Sequence, residues 1–199
     1  MKPIHKLVLA SGNKKKMAEL TACLNPLDIK LVPQSDFFPD EPEETGLTFV
    51  ENAIIKARYA CARSGLPALA DDSGLEVDAL SGAPGIYSAR YAHGKGDEAN
   101  NIKLLEHMES VPEDLRTARF RCVLVLMQHE FDPMPVIFTG TWNGKIRTAL
   151  SGVSGFGYDP LFQPDGLDIT AAELDQGIKN QLSHRAKAIS EFYQYLKAN

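Results

Sequence analysis

Four short stretches of the sequence hold residue types that can do chemistry together. The first is Ser11-Gly12-Asn13-Lys14-Lys15-Lys16, which lies between a short apolar run and a helical pattern. The N-terminus of a helix leaves backbone N–H groups unpaired and carries partial positive charge, so it favours an anion placed before it. Lysines in the first turn oppose that dipole, and a bound polyphosphate would supply the missing negative charge. The other reading is a solvated charge run on a surface helix. The stretch fits neither G-x-x-x-x-G-K-[ST] nor G-x-G-x-x-G.

The second is Asp71-Asp72, after a strand, together with Glu43-Glu44 in an acidic loop. Carboxylate oxygens suit Mg²⁺, which keeps most of its waters and bridges to substrate phosphates. A further carboxylate beside a water can act as general base. An Asx turn at Asp72-Ser73-Gly74 is the structural alternative. The third stretch, Phe156-Gly157-Tyr158-Asp159, sets aromatics among glycines, where a ring can meet a nucleobase or simply cover a core edge. The fourth, Ser183-His184-Arg185, has a plausible N-cap. Its two donors could meet an oxygen acceptor on a ligand, or could belong to an ordinary capped surface helix.

These residues need elements to hold them. Lys6 to Ala10 reads as a buried strand, and Met17, Leu20 and Leu24 at helical spacing predict a helix from about Lys14 to Leu24. Ile29 to Val32 reads as a second strand. Thr48 and Glu51 form a capping box for a helix whose apolar face is Val50, Ile54, Ala57 and Cys61, closed by Gly65. A strand over 68–70 ends at the Asp pair, with 75–80 extended beyond it. Residues 97–109 predict a helix with Ile102, Leu105 and Met108 on its apolar face. Phe120 to Met127 reads as a central strand. Val136 to Trp142 and Lys145 to Arg147 read as a hairpin about an Asn143-Gly144 turn. A last helix spans His184 to Lys197, with Ile189, Phe192, Tyr193 and Leu196 on one face. With no linker, repeat or low-complexity tract, the expectation is one domain over 1–199. Strands interleaved with helices predict an α/β fold on a mixed sheet.

Composition excludes several classes. The chain has 199 residues, 44% hydrophobic and 24% charged, which is ordinary for a globular protein. A net charge of −5 argues against a nucleic-acid footprint, though not against a small anionic ligand. No stretch approaches the roughly 18 apolar residues that span a bilayer, so no membrane partner is expected. The opening residues carry no signal-peptide apolar region. Cys23, Cys61 and Cys122 are odd in number and lack a Cys-x-x-Cys pair, which fits reduced thiols and a cytoplasmic setting.

Taken in order, these stretches resemble the inosine triphosphate pyrophosphatase family, the noncanonical purine nucleoside-triphosphate pyrophosphatases. The resemblance runs through Ser-Gly-Asn-x-x-Lys-x-x-Glu at 11–19, Glu-Glu-Thr-Gly at 43–46 and Thr-Phe-x-Glu-Asn-Ala-x-x-Lys-Ala at 48–57. It continues in Asp-Asp-Ser-Gly-Leu at 71–75, Gly-Ala-Pro-Gly-Ile-Tyr-Ser-Ala-Arg-Tyr at 82–91, Gly-Phe-Gly-Tyr-Asp-Pro at 155–160 and Ser-His-Arg at 183–185. Ser11 stands where that family usually has Thr, keeping the hydroxyl. Asp-Gln-Gly-Ile at 175–178 replaces a more acidic run before Lys179.

The resemblance implies an elongated mixed sheet flanked by helices, two lobes with the active-site cleft between them, and a homodimer. It implies Mg²⁺-dependent hydrolysis of ITP, dITP and XTP to the monophosphate and pyrophosphate, clearing deaminated purines from the nucleotide pool. By the same resemblance Ser11, Gly12, Asn13, Lys14, Lys15 and Lys16 cradle phosphate, and Lys56 reaches the same anion. Glu43 and Asp72 are metal-linked, Asp72 also accepting the proton of the attacking water, and Ser73 touches substrate. Phe156, Gly157, Tyr158, Asp159, Lys179, His184 and Arg185 hold the base. Attack at the α- or the β-phosphorus gives the same products. The rival functions are a pyrophosphatase for modified pyrimidine nucleotides and a nucleotide sensor without turnover.

Overall fold

A continuous apolar run such as Leu7-Val8-Leu9-Ala10 cannot have a wet face, so it belongs inside a sheet covered on both sides. The computed structural model describes residues 4–13, 16–18, 20, 21 and 29–198. In it these four residues are buried in strand β1 (Lys6–Ala10), flanked in the sheet by β2 (Lys30–Pro33) and β3 (Ala68–Val77). The sheet has six strands in the order β2-β1-β3-β4-β5-β6, completed by β4 (Thr117–Met127), β5 (Val136–Ile146) and β6 (Phe162–Pro164). β1 runs parallel to β2 and to β3, pairing Leu9 with Leu69, whereas β5 and β6 are antiparallel. The mixed α/β sheet expected from the sequence is therefore present.

Helix α1 (Phe49–Ser64) begins and ends as its sequence dictates. Thr48 accepts the N–H of Glu51, Glu51 takes back the N–H of Leu47, and Gly65 closes the helix with φ 68°. Side-chain alternation in the strands then sets the layers. Ala68 and Ala70 of β3 pack with Ala53, Ala57, Ala60 and Cys61 of α1. Leu69 packs with Ala188, Ile189 and Phe192 of α4 (His184–Ala198). Helices α1 and α4 thus cover opposite faces, and Asp71 and Asp72 follow that alternation to opposite sides. Strand β3 runs straight through Asp72-Ser73-Gly74, so the Asx turn considered for these residues does not form.

Packing divides the chain into two compact units, one of 1–72, 122–139 and 187–199, the other of 73–121 and 140–186. Neither unit is contiguous, because β3, β4, β5 and α4 each pass from one to the other. The core of the second unit gathers Leu75, Leu104, Met108, Phe120, Trp142 and Phe162. There α2 (Asp97–His107) is anchored by buried Arg116, whose guanidinium donates to the carbonyls of Met108, Ile146 and Arg147 at 2.7, 2.8 and 3.1 Å. That places a cation at a helix C-terminus, where the dipole favours it.

Three local expectations change. Asn143-Gly144 makes no turn: β5 is unbroken, and Gly144 lies opposite Pro164 of β6. A Cβ on Gly144 would stand 2.2 Å from the Gln163 carbonyl oxygen, so the glycine is needed for close strand approach. In α2 the buried face is Asn100, Asn101 and Leu104, continued by Met108 at the C-cap, with Ile102 nearly half exposed. Polar side chains take that face because they hydrogen-bond to loops. On α4, Tyr195 rather than Tyr193 packs into the core, against Phe138. Residues 16–18, 20 and 21 are helical as predicted. Lys14, Lys15, Glu19, Cys23 and Leu24 lie outside the described residues. Among those described, no helix is long and apolar enough to cross a membrane.

Candidate active site

In the first unit, the turn after β1 precedes the helical residues 16–18, 20 and 21, and Asn13 bonds to two of their amides. Asn13 accepts the N–H of Lys16 on its side chain at 3.3 Å and that of Met17 on its carbonyl at 3.1 Å. Ser11 Oγ accepts the N–H of Asn13, and Gly12 donates to Glu41 Oε1 at 3.2 Å. The same Glu41 oxygen accepts from Gln34. An amide of this turn is therefore already bonded to an anionic oxygen, which is the chemistry expected of a phosphate cradle.

The acidic pair separates by face. Asp71, fully buried, receives Lys16 Nζ on Oδ1 at 2.5 Å and lies 3.7 Å from Cys122 Sγ through Oδ2. Asp72 receives Lys56 Nζ at 2.5 Å, and that ammonium also donates to Glu44 at 3.1 Å. It is Glu44, not Glu43, that reaches this cation. Exposure alternates along the extended segment 41–46, so that Glu43 faces solvent and Glu44 faces inward. The segment is pinned by Gly46, whose N–H donates to buried Asn52 at 2.9 Å. A Cβ on Gly46 would fall 2.7 Å from that same Asn52 oxygen.

The electrostatics follow from this arrangement. Burial raises the Asp72 carboxyl above its ordinary value and the Glu44 charge adds to that, while Lys56 and Lys16 pull it back. Burial works against the charged form of Lys56, but Asp72 and Glu44 outweigh it and hold the ammonium more firmly protonated than usual. Two carboxylates thus converge on one cationic position. Among the described residues no cluster of three or more acidic, His or Cys side chains is present, and what this pair offers toward a hard cation is the chemistry of its donors, carboxylate oxygen alone, the kind that suits Mg²⁺. Ser73 follows, half-buried, in β3.

In the second unit, the turn 155–159 is built around Asp159, whose Oδ2 accepts the N–H of Phe156 at 2.8 Å and also binds Lys179 Nζ. Both charged side chains are almost fully buried. A Cβ at Gly155 would collide with that carboxylate, which is why glycine stands there. Lys179 Nζ and the Arg185 guanidinium lie 5.0 and 5.7 Å from the Phe156 ring centroid, and buried His184 stacks on Phe120 at 4.8 Å. Tyr158 is buried in the core of this unit, its hydroxyl donating to the Ser88 carbonyl at 2.9 Å, and burial holds the phenol well above its usual range. Lys179 sits on α3 (Gln176–Leu182), which Asp175 caps by accepting the N–H of Gly177. Ser183 caps α4 through the N–H of Ala186 at 3.1 Å.

The structure therefore gathers Lys16 with Asp71, Lys56 with Asp72, and Phe156, Asp159, Lys179 and Arg185 with one another. Sequence reasoning missed the partners Glu41, Asp97 and Asn101, and it named the pairs Asp71-Asp72 and Glu43-Glu44 but gave no role to Asp71 or Glu44. Glu44 was open to a sequence signal, since its place in an extended stretch sets its side opposite to that of Glu43. The others follow only from tertiary placement.

Comparison with known proteins bears on the same residues. The Ham1 family model matches residues 7–195. A relative from Thioalkalivibrio sulfidiphilus named dITP/XTP pyrophosphatase is 56% identical over 92% of this chain and 94% of its own length. One of the same name from Pseudomonas syringae is 58% identical over 92% of each. A solved HAM1 protein from Coxiella burnetii superposes with a TM-score of 0.94 at 47% identity, covering 98% of this chain and 100% of its own.

Proposed function

The chain belongs to the Ham1 family, and from that premise we propose that it hydrolyses the noncanonical purine nucleoside triphosphates dITP, ITP and XTP to the monophosphate and pyrophosphate. The names of its relatives support the substrate class. The observation that carries the reaction type is the convergence of Asp72 and Glu44 on the cation of Lys56. Such a site manages polyphosphate charge, and a purely structural ion pair needs only one carboxylate.

In this reading Asp72 and Glu44 hold Mg²⁺, so that Glu44 takes the role first assigned to Glu43. When bound, the ion offsets phosphate charge and eases departure of pyrophosphate. Lys16 and the turn over residues 11–13 bind the triphosphate, the Gly12 amide exchanging the Glu41 carboxylate for a phosphate oxygen. Lys56 keeps Asp72 and Glu44 oriented and adds positive charge where negative charge grows. Asp72 accepts the proton of the attacking water at its carboxylate oxygen.

The purine is the business of Phe156 to Asp159 with Lys179, His184 and Arg185. Arginine only donates hydrogen bonds. Hypoxanthine and xanthine offer a keto oxygen at C6, while adenine offers an amino donor, which would leave buried groups unpaired. Such mismatches reject a substrate by up to about 10⁴-fold. Lys179, paired with Asp159, and Arg185 both stand over the Phe156 ring, which puts two donors at the proposed base site. A homodimer working in the cytoplasm completes the reading.

The test is pyrophosphate release from dITP, ITP and XTP beside dATP, dGTP and modified pyrimidine triphosphates, with Mg²⁺ and with chelator. Preference for the first three, abolished by chelator, is expected. A preference for pyrimidines would establish the rival pyrophosphatase, and binding without release would establish a sensor.

A further inference from the structure

Gly157 lies within the turn 155–159, and its φ of 62° is in the left-handed region. Glycine there leaves both adjoining peptides free to rotate, and turn types differ by one such peptide flip. Neither peptide is free in this chain. The Gly157 N–H donates to Asp97 Oδ2 at 2.6 Å, and the Gly157 carbonyl accepts from Asn101 Nδ2 at 2.7 Å. Asp97 and Asn101 are four residues apart on one face of α2, and Asn101 Nδ2 also donates to the Asp97 carbonyl at 2.8 Å. Asn101 is only 3% exposed. Its Oδ1 has no hydrogen-bond partner among the described residues. A buried amide with an unpaired acceptor costs free energy that an apolar residue would not, so its donor has a task.

We infer that Asp97 and Asn101 are positioning residues for base recognition: by holding both peptides of Gly157 they fix the face that Phe156 and Asp159 present to a purine. The inference rests on the reading of this turn as the base site. The two residues touch no substrate themselves. Their effect passes through the neighbours of Gly157: Phe156, with its overlying cations, and the Asp159–Lys179 pair.

The test compares Asp97→Ala, Asp97→Asn, Asn101→Asp and Phe156→Ala in KM and kcat for dITP and dATP. It adds inhibition by inorganic triphosphate, which has no base. Asp97→Ala and Asn101→Asp should raise KM for dITP about tenfold, the scale of one lost hydrogen bond to a charged or fixed group. The dITP-over-dATP ratio should fall by a similar factor, while the inhibition constant of triphosphate stays within twofold. Asp97→Asn keeps an acceptor and should stay near wild type. Asp97 is exposed, so its variants keep the test alive if Asn101→Asp fails to fold. An unchanged dITP KM and ratio in Asp97→Ala would overturn the inference, as would a triphosphate constant that rises in step with KM. Phe156→Ala separates the two layers. If it leaves the dITP KM unaltered, the base site itself has been misplaced; if it raises KM while Asp97→Ala does not, only the positioning role is lost.

Discussion

Glu43 and Glu44 are adjacent, chemically identical, and expected to behave very differently when neutralised one at a time. Glu44→Gln removes a charged oxygen that bonds Lys56 at 3.1 Å and shares that cation with Asp72. A charge-assisted interaction of this kind is worth about 1.5 to 3 kcal/mol. If it is fully used in the transition state, each 1.4 kcal/mol is about tenfold, so kcat/KM should fall by about 10- to 10²-fold. The stability cost is smaller, about 1 kcal/mol, because the Glu44 side chain is a quarter exposed and water screens the pair. Glu43→Gln removes an exposed charge and should stay within about twofold. The assay is pyrophosphate release from dITP across an Mg²⁺ titration, with thermal melts on the same samples. Glu44→Gln should need more Mg²⁺ for half-maximal rate and melt only slightly earlier. Glu43→Gln proving the damaging change, with Glu44→Gln near wild type, would refute the alternation argument and return the metal-linked role to Glu43.

Asp72→Asn should cut turnover by about 10² to 10⁴ while dITP binding by calorimetry persists; a rate within tenfold of wild type would remove Asp72 as the base. Asp159→Asn leaves Lys179 charged and buried without its carboxylate. Chemical denaturation should register a loss of about 3 to 5 kcal/mol, and an unchanged midpoint would mean that the pair contributes no stability. Gly144→Ala forces a Cβ against the Gln163 carbonyl and should cost about 1 to 3 kcal/mol, read as a lower Tm; an unaltered Tm would show that β6 yields at no cost. Burial raises the Cys61 thiol to about 11, against 9.0 for the free group. The folded chain therefore keeps a proton that the unfolded chain releases, a contribution complete below pH about 9 and lost by pH about 11. About 2 to 3 kcal/mol should disappear over that window. Stability curves for wild type and Cys61→Ala should converge there, and parallel curves would exclude the thiol as the cause.

The sequence by itself determined the parts of this protein that depend on near neighbours along the chain. The α1 boundaries follow from Thr48, Glu51 and Gly65, because a cap is a contact across three or four residues. The burial of β1 follows from four apolar residues in a row. The four chemical stretches were legible for the same reason: each is short, and residue type limits what it can do. Tertiary structure decided whatever depends on what lies opposite. Asn143-Gly144 has the local form of a hairpin turn, but β6 packing against Gly144 makes it straight strand. Asn100 and Asn101 interrupt the apolar pattern of α2, and only the loops they bond explain their burial. Lys16 and Lys56 are cations of one type in one unit, yet they join different aspartates because β3 alternation sends Asp71 and Asp72 to opposite faces. Spacing along a chain fixes which side a residue takes within its element, whereas its partner comes from another element tens of residues away, and only folding brings the two within hydrogen-bond reach.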